Sequence, residues 1–251
     1  MIALRIDAPL AWITLDRPDK LNALTRDAWG ELRDALAQAQ AAPAVRAIVL
    51  HGAGRCFSVG GDIEGFAAIG DAGDRRAYML DAMAAFEAVE RCEKPVIAAV
   101  HGFALGGGCE LTIVSDVVVA DATARFGTPE ASVGLVPGPG IARGLAQVNL
   151  HWMKLMVLAG EVLDADEARL AGLVQRVVPA GGHLDAAQEI GERMARNAPL
   201  ALAAGKQYLN ALAPQGMAYA ITTVSWLQGT ADYAEGIAAF AEKRAPRFSA
   251  S

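Results

Sequence analysis

The chain has 251 residues, enough for one large domain or one domain with an appendage, and 53% of them are hydrophobic. Its net charge of −6 argues against general nucleic-acid binding, which calls for a basic surface, but leaves room for a small anionic ligand held by local charge. No apolar run reaches the roughly 18–20 uninterrupted residues of a membrane span, and Cys56, Cys92 and Cys109 lie far apart without metal-ligand spacing, so a soluble cytoplasmic protein with cysteine used as apolar filler is expected.

The first stretch, MIALRIDAPLAWITLDRP, carries Arg5 and Asp7 and lacks the layout of a signal peptide. LAWITL (Leu10 to Leu15) alternates and holds Trp12, as a strand does. RPDKLNALT breaks it at Pro18 and Asp19 and leads into a helix near Thr25 to Gln40. VRAIVLHG (Val45 to Gly52) and PVIAAVHG (Pro95 to Gly102) are short apolar runs closed by glycine, the pattern of buried strands. Between them a helix is expected over Ala77 to Arg91, with Met79, Met83, Phe86 and Val89 at helical spacing. Gly106, Gly107 and Gly108 precede a short helix, and DVVVAD reads as another buried strand. Asp164 with Glu167 has the spacing of a helix-capping pair.

Strands alternate with helices to about residue 180, which gives an α/β class. From Leu184 onward only helices are expected, punctuated by Pro199, Pro214 and Gly229. The expected division is a core over residues 1–190 and a helical C-terminal segment over 191–251.

HGFALGGGCELTIVSD (His101 to Asp116) poses the central question: why three glycines in a row, then a carboxylate, Glu110, in an apolar run? Each glycine weakens a regular element by about 1 kcal/mol against alanine. A tight turn between two buried elements, with the glutamate on a solvated edge, would explain them. So would a backbone stripped bare to turn its N–H groups toward a ligand, with an acid beside them. Two more glycine-bearing segments, RCFSVGGDI (Arg55 to Ile63) and FGTPEASVGLVPGPG (Phe126 to Gly140), also follow predicted strands, and ligand sites gather at strand ends in α/β proteins. Two such turns can each offer one N–H to a single oxygen, the ingredients of an oxyanion hole. P-loop, G-x-G-x-x-G and G-x-S-x-G patterns are absent. His51, His101, His151 and His183 are scattered and fit no metal motif. Glu110 and Glu130 remain as a pair suited to proton transfer beside a carbonyl and to activation of water.

Taken together, CFSVGGDI, PVIAAVHGFALGGGCELTIVSD, ARFGTPEASVGLVPGPG and the tail EGIAAFAEKRAPRF resemble the enoyl-CoA hydratase/isomerase (crotonase) family across nearly the whole chain, and LDRPDKLNAL resembles its entry turn. The resemblance implies a crotonase-like spiral of strand–strand–helix turns with a helical C-terminal trimerisation segment, trimers that often pair as hexamers, an acyl-CoA thioester substrate, and no metal or redox cofactor. It implies that the N–H groups of Gly61 and Gly107 hold the thioester oxygen, that Glu110 activates water, that Glu130 delivers a proton to the α-carbon, and that Gly138 helps to hold the water. For substrate binding it points to Lys20 and Leu21 beside the pantetheine and phosphates, Ser58, Val59, Gly61, Asp62 and Ile63 along the first loop, Gly107, and Lys243 from a neighbouring subunit. Having both acids favours hydration of a trans-2-enoyl-CoA. A double-bond isomerase or other acyl-CoA lyase or hydrolase using mainly Glu130, or a catalytically silent acyl-CoA binder, are the alternatives. His101 stands where the family usually has asparagine, Pro139 and Arg143 depart from its common pattern, and the segment between Gly65 and Ala77 is short, all of which bear on acyl preference.

Overall fold

The structure, a computed structural model, describes residues 1–62, 65, 72–133, 135–138, 143–144, 147–211, 230–249 and 251. Six strands form the main sheet: Ile2–Asp7 (β1), Leu10–Leu15 (β2), Ala47–Gly52 (β3), Val96–Val100 (β4), Val117–Asp121 (β6) and Arg176–Val178 (β9), in the order β1-β2-β3-β4-β6-β9. β1 and β2 pair antiparallel; every later pair in this sheet is parallel. Phe103–Leu105 (β5), Arg125–Gly127 (β7) and Val162–Asp164 (β8) make a second, three-stranded sheet in the order β5-β7-β8. The helices are Arg26–Ala41 (α1), Ala72–Arg91 (α2), Gly107–Ile113 (α3), Leu150–Ala159 (α4), Ala165–Leu170 (α5), His183–Ala195 (α6), Pro199–Asn210 (α7) and Ala231–Glu242 (α8).

The parallel strands are apolar on both faces because both faces are covered. Along β3, Ile48 and Leu50 join one core with Trp29, Leu32 and Leu36 of α1 and Phe86 and Val89 of α2. Ala47 and Val49 point the other way and pack with Ala186, Ala187 and Ile190 of α6. Period-two alternation therefore feeds two cores from one strand. Phe57, Phe126 and Ile97 are fully buried, each contributing about 1.5–3 kcal/mol of transfer free energy.

Local signals place the helices. Thr25 caps α1 by accepting from Ala28 N at 3.3 Å. Asp164 and Glu167 form the expected reciprocal cap on α5, each side chain accepting from the other's backbone N–H at 2.9 Å. Pro199 occupies the first turn of α7, where a missing N–H costs nothing. That helix also carries Lys206, a buried cation. Its Nζ lies 2.7 Å from Asp116 Oδ2 and donates to the carbonyls of Val89 (3.1 Å) and Lys94 (3.3 Å).

Several expectations shift. The helix expected from Ala77 begins at Ala72. Gly107 and Gly108 lie inside the short helix they were expected to precede. α6 runs through residue 190, so the expected boundary falls within a helix packed on the sheet. The part of the expected C-terminal helix over 221–228 lies outside the described residues. Among the described residues, no helix is long and apolar enough to cross a membrane.

Candidate active site

The site begins where β3 stops. Residues 53–61 cross the ends of β3 and β4, and one buried side chain holds their carbonyls. Asn22, itself at φ 56°, donates from its amide to the carbonyls of Ala53 (2.8 Å), Cys56 (2.8 Å) and Phe57 (3.1 Å). Three backbone bonds then lay the loop beside β5: Phe57 N to His101 O, Ser58 N to Phe103 O and Leu105 N to Ser58 O, each 2.9 Å. Ser58 is wholly buried; its hydroxyl donates to Asn22 O at 2.8 Å and accepts from Gly60 N at 3.1 Å. Its side chain holds the turn and does not line a cavity.

This contact between loops explains the glycines. Gly60 has φ +90°, and a Cβ there would stand 2.7 Å from both Gly107 N and Leu105 O. A Cβ on Gly108 would stand 2.4 Å from Ser58 O. Only bare backbone lets the two turns touch. The solvated edge that the plainer reading gave Glu110 is excluded, because its side chain is buried, at 6% exposure. Gly106, at φ +52°, swings the chain into α3, and its own N–H donates to Gly127 O at 2.9 Å. Among the described residues, neither Gly61 N nor Gly107 N has an acceptor, and both glycines line the same cavity of about 500 Å³.

Both acids also line that cavity. Glu110 comes from the first turn of α3 and is buried, at 6% exposure. Glu130 comes from the 3-10 turn Pro129–Val133, which follows β7. Its Oε1 lies 3.4 Å from where a Cβ on Gly106 would stand, which places it over the glycine turn. Its Oε2 is buried without a hydrogen-bond partner, and burial pushes the carboxyl above the ordinary glutamate value. Gly138 closes the far side: a Cβ there would stand 4.0 Å from Glu110 Oε1 and 3.4 Å from Met83 Sδ. Cys109, the neighbour of Glu110, is fully buried, and burial pushes its thiol far above the usual range, in keeping with its expected role as filler.

Of the anticipated residues, Val59, Gly61, Gly107, Glu110, Glu130 and Gly138 meet at the cavity. Lys20 and Leu21 sit at the 3-10 turn Pro18–Lys20, from which Leu21 O accepts from Val59 N at 3.1 Å, so this turn abuts the loop but does not line the cavity. Asp62 is ion-paired with Arg17 at 2.5 Å, and Arg17 Nη1 also donates to Ala23 O. Lys243 is exposed, at φ 55° just beyond α8, and lies apart from this cavity within the single chain. Ile63 lies outside the described residues.

Sequence reasoning missed an aromatic wall. Trp29 of α1 stands 3.3 Å from where a Cβ on Gly107 would be, and its ring packs on Phe86 at 5.0 Å. Trp29 Nε1 donates to Tyr78 Oη at 3.3 Å, and Tyr78 Oη donates to Leu24 O at 3.3 Å. Helical spacing marked Phe86 as core, but nothing local marks Trp29 or Tyr78 as facing a cavity. With two N–H donors that lack acceptors among the described residues, two carboxyls held away from solvent, and an apolar wall, the arrangement can hold a carbonyl oxygen that gains charge while protons move nearby.

Comparison with known proteins gives a consistent result. The family model described as enoyl-CoA hydratase/isomerase matches residues 5–251. The chain is 38% identical over 244 residues to the 2,3-dehydroadipyl-CoA hydratase of Escherichia coli, covering 94% of this chain and 93% of that one. It is 34% identical over 253 residues to a short-chain-enoyl-CoA hydratase of Clostridium acetobutylicum, covering 97% and 95%. A crystal structure of an enoyl-CoA hydratase from Bacillus anthracis superposes with a TM-score of 0.94 at 30% identity, covering 100% of this chain and 99% of that chain.

Proposed function

Because this chain belongs to the enoyl-CoA hydratase/isomerase family, we propose that it hydrates the 2,3 double bond of a trans-2-enoyl-CoA thioester, with the residues of the cavity in defined roles. The observation that carries the reading is that Gly61 and Gly107, whose N–H groups have no acceptor among the described residues, line one cavity with Glu110 and with Glu130, whose Oε2 is buried without a partner.

In this reading the thioester oxygen accepts from Gly61 and Gly107. Glu110 takes a proton from a water that the Gly138 N–H helps to orient, and the water oxygen bonds to the β-carbon. The electrons of the double bond move toward the thioester oxygen, giving an enolate that the two N–H donors stabilise. Glu130 then gives its proton to the α-carbon, completing the 3-hydroxyacyl thioester. Burial pushes the Glu130 carboxyl above the ordinary glutamate value, a direction that suits a group giving up a proton in the reaction. The proton on Glu110 and the vacancy on Glu130 are reset by exchange with water.

The same reading gives Val59 and Gly61 to the adenine end of CoA, the turn of Lys20 and Leu21 to the pantetheine and phosphates, and Lys243 of an adjoining subunit to a phosphate. Ser58 and Asp62 act by holding the loop. No metal or redox group is required, and we propose a cytoplasmic trimer or dimer of trimers. The test is the loss of crotonyl-CoA conjugation followed by absorbance. Turnover by the parent chain that survives Glu110→Ala together with Glu130→Ala overturns the roles given to the acids. Efficient double-bond isomerisation without hydration overturns the reaction itself.

A further inference from the structure

We infer that Tyr78 is a positioning residue: its phenol, held by Trp29, steadies the Leu24 peptide that aims the Gly61 N–H into the cavity. This rests on the enoyl-CoA reading above and adds to it the support under one of the two donors. The two are held differently. Gly107 belongs to α3, where Gly106 O, in the same peptide unit as Gly107 N, accepts from Glu110 N at 2.9 Å. Gly61 lies in no helix or strand and is joined to Leu24 by an isolated parallel bridge. Leu24 N donates to Gly60 O at 2.8 Å and Asp62 N donates to Leu24 O at 2.9 Å, so two bonds to one residue straddle Gly61. In a trans peptide the carbonyl and the N–H point opposite ways. With Gly60 O turned toward Leu24, the Gly61 N–H turns away from it, and Gly61 lines the cavity.

The aim of that N–H is therefore only as steady as Leu24. Arg17 holds one flank of the bridge, donating to Ala23 O at 3.3 Å and pairing with Asp62 at 2.5 Å. Tyr78 holds the other. Its Oη donates to Leu24 O at 3.3 Å and accepts from Trp29 Nε1 at 3.3 Å. These directions have one solution, because an indole N–H only donates and a carbonyl only accepts, so the phenol proton goes to Leu24 O. Burial pushes Tyr78 above the ordinary phenol value, which keeps that proton in place at neutral pH. Leu24, Trp29 and Tyr78 are all buried, so the chain of bonds is closed to bulk water. Misdirection of the Gly61 N–H costs most when the thioester oxygen carries charge. The loss should therefore fall on kcat and spare KM.

The test uses the purified full chain and Tyr78→Phe, which removes one oxygen and keeps the ring that lines the cavity. Both bonds through that oxygen are long, so the expected loss in kcat for crotonyl-CoA hydration is about five- to tenfold, with KM within about twofold of the parent. The second readout is the infrared carbonyl band of bound butyryl-CoA, a saturated thioester isotopically labelled at its carbonyl carbon. Hydrogen bonds to the thioester oxygen lower that band, so it should lie at higher wavenumber in Tyr78→Phe than in the parent. The band comes only from molecules that hold the ligand, and partial unfolding of the variant cannot imitate the shift. An unmoved band overturns the inference whatever happens to kcat, and so does a rise in KM alone, which would make Tyr78 part of the wall; in both cases hydration by the parent leaves the hydratase reading standing. A parent chain that binds butyryl-CoA without hydrating crotonyl-CoA, with the band still raised in Tyr78→Phe, overturns the hydratase reading and leaves the positioning of Gly61 standing.

Discussion

The carboxyl ends of the central strands carry two clusters of titratable groups, and they solve opposite problems. On one side, Glu110 and Glu130 face a cavity with Gly61 and Gly107, and Glu130 Oε2 lacks a partner. On the other, His51 at the end of β3, His101 after β4 and His183 at the start of α6 lie close enough to influence one another, and His183 reaches Asp121 at the end of β6. His101 and His183 stack at 4.5 Å; His101 Nδ1 is also buried without a hydrogen-bond partner, while His183 Nδ1 lies 3.5 Å from Asp121 Oδ2. An unpaired buried polar atom is therefore not by itself a mark of chemistry. The Glu130 oxygen opens on space large enough for a reactant, whereas the two imidazoles are closed against each other. Room beside the orphan group distinguishes a reactive site from a packed one.

The sharpest way to break that contrast is to remove the acids. Glu110→Gln and Glu130→Gln should each lower kcat for crotonyl-CoA hydration by about 10²–10⁴-fold with little change in melting temperature. A small loss in either would reduce that residue to a bystander. Next comes the contact between the turns. Gly60→Ala puts a methyl 2.7 Å from Gly107 N and should lower kcat by about 10²-fold or more while thioester binding by calorimetry persists.

Asn22→Ala tests the support under the loop. Removing an amide that serves three carbonyls should lower unfolding free energy in urea by about 2–3 kcal/mol. The histidine cluster should give the smallest effect, on stability and not on rate. Burial holds His51 and His183 below the ordinary imidazole value, with the facing rings and Arg5 adding to the shift and Asp121 opposing it at His183. Their neutral forms fit the fold, so this stabilisation is complete above about pH 6.5 and is lost as pH falls from there through the lowered folded values. Asp121 is held below the usual carboxylate range by hydrogen bonds from Thr123 and Gly181 despite its burial, so its own loss belongs to a more acid window. His183→Gln should narrow the difference in unfolding free energy between pH 7.5 and pH 5.5 by on the order of 1 kcal/mol.

What could be read from sequence follows interaction range. Buried parallel strands, the helix start near Thr25, the Asp164 cap and the break at Pro199 are local, and they stand within a residue or two of expectation. β1 was missed because it is an edge strand with Arg5 and Asp7 exposed, and its apolar partner lies across a turn. β5, β7, β8 and β9 have three residues each, too few to display a period, and exist because neighbouring strands hold them. The glycine turns and both acids were visible as chemistry out of place in apolar runs. Trp29 and Tyr78 were not, since a helix face bordering a cavity has the same spacing as one bordering the core. Ser58 and Asp62 illustrate the converse: motif position drew attention to them, while their side chains serve the loop through Gly60 and Arg17.

The Lys206–Asp116 pair has a consequence for how the molecule comes apart. Through one ammonium α7 reaches the last turns of α2, the approach to β4 and the residue before β6, and its Asn210 adds a bond to Glu90 O of α2 at 3.0 Å. Peeling that helix away would strand a carboxylate among apolar neighbours, so undocking should draw the sheet with it and melt the two together in one cooperative step.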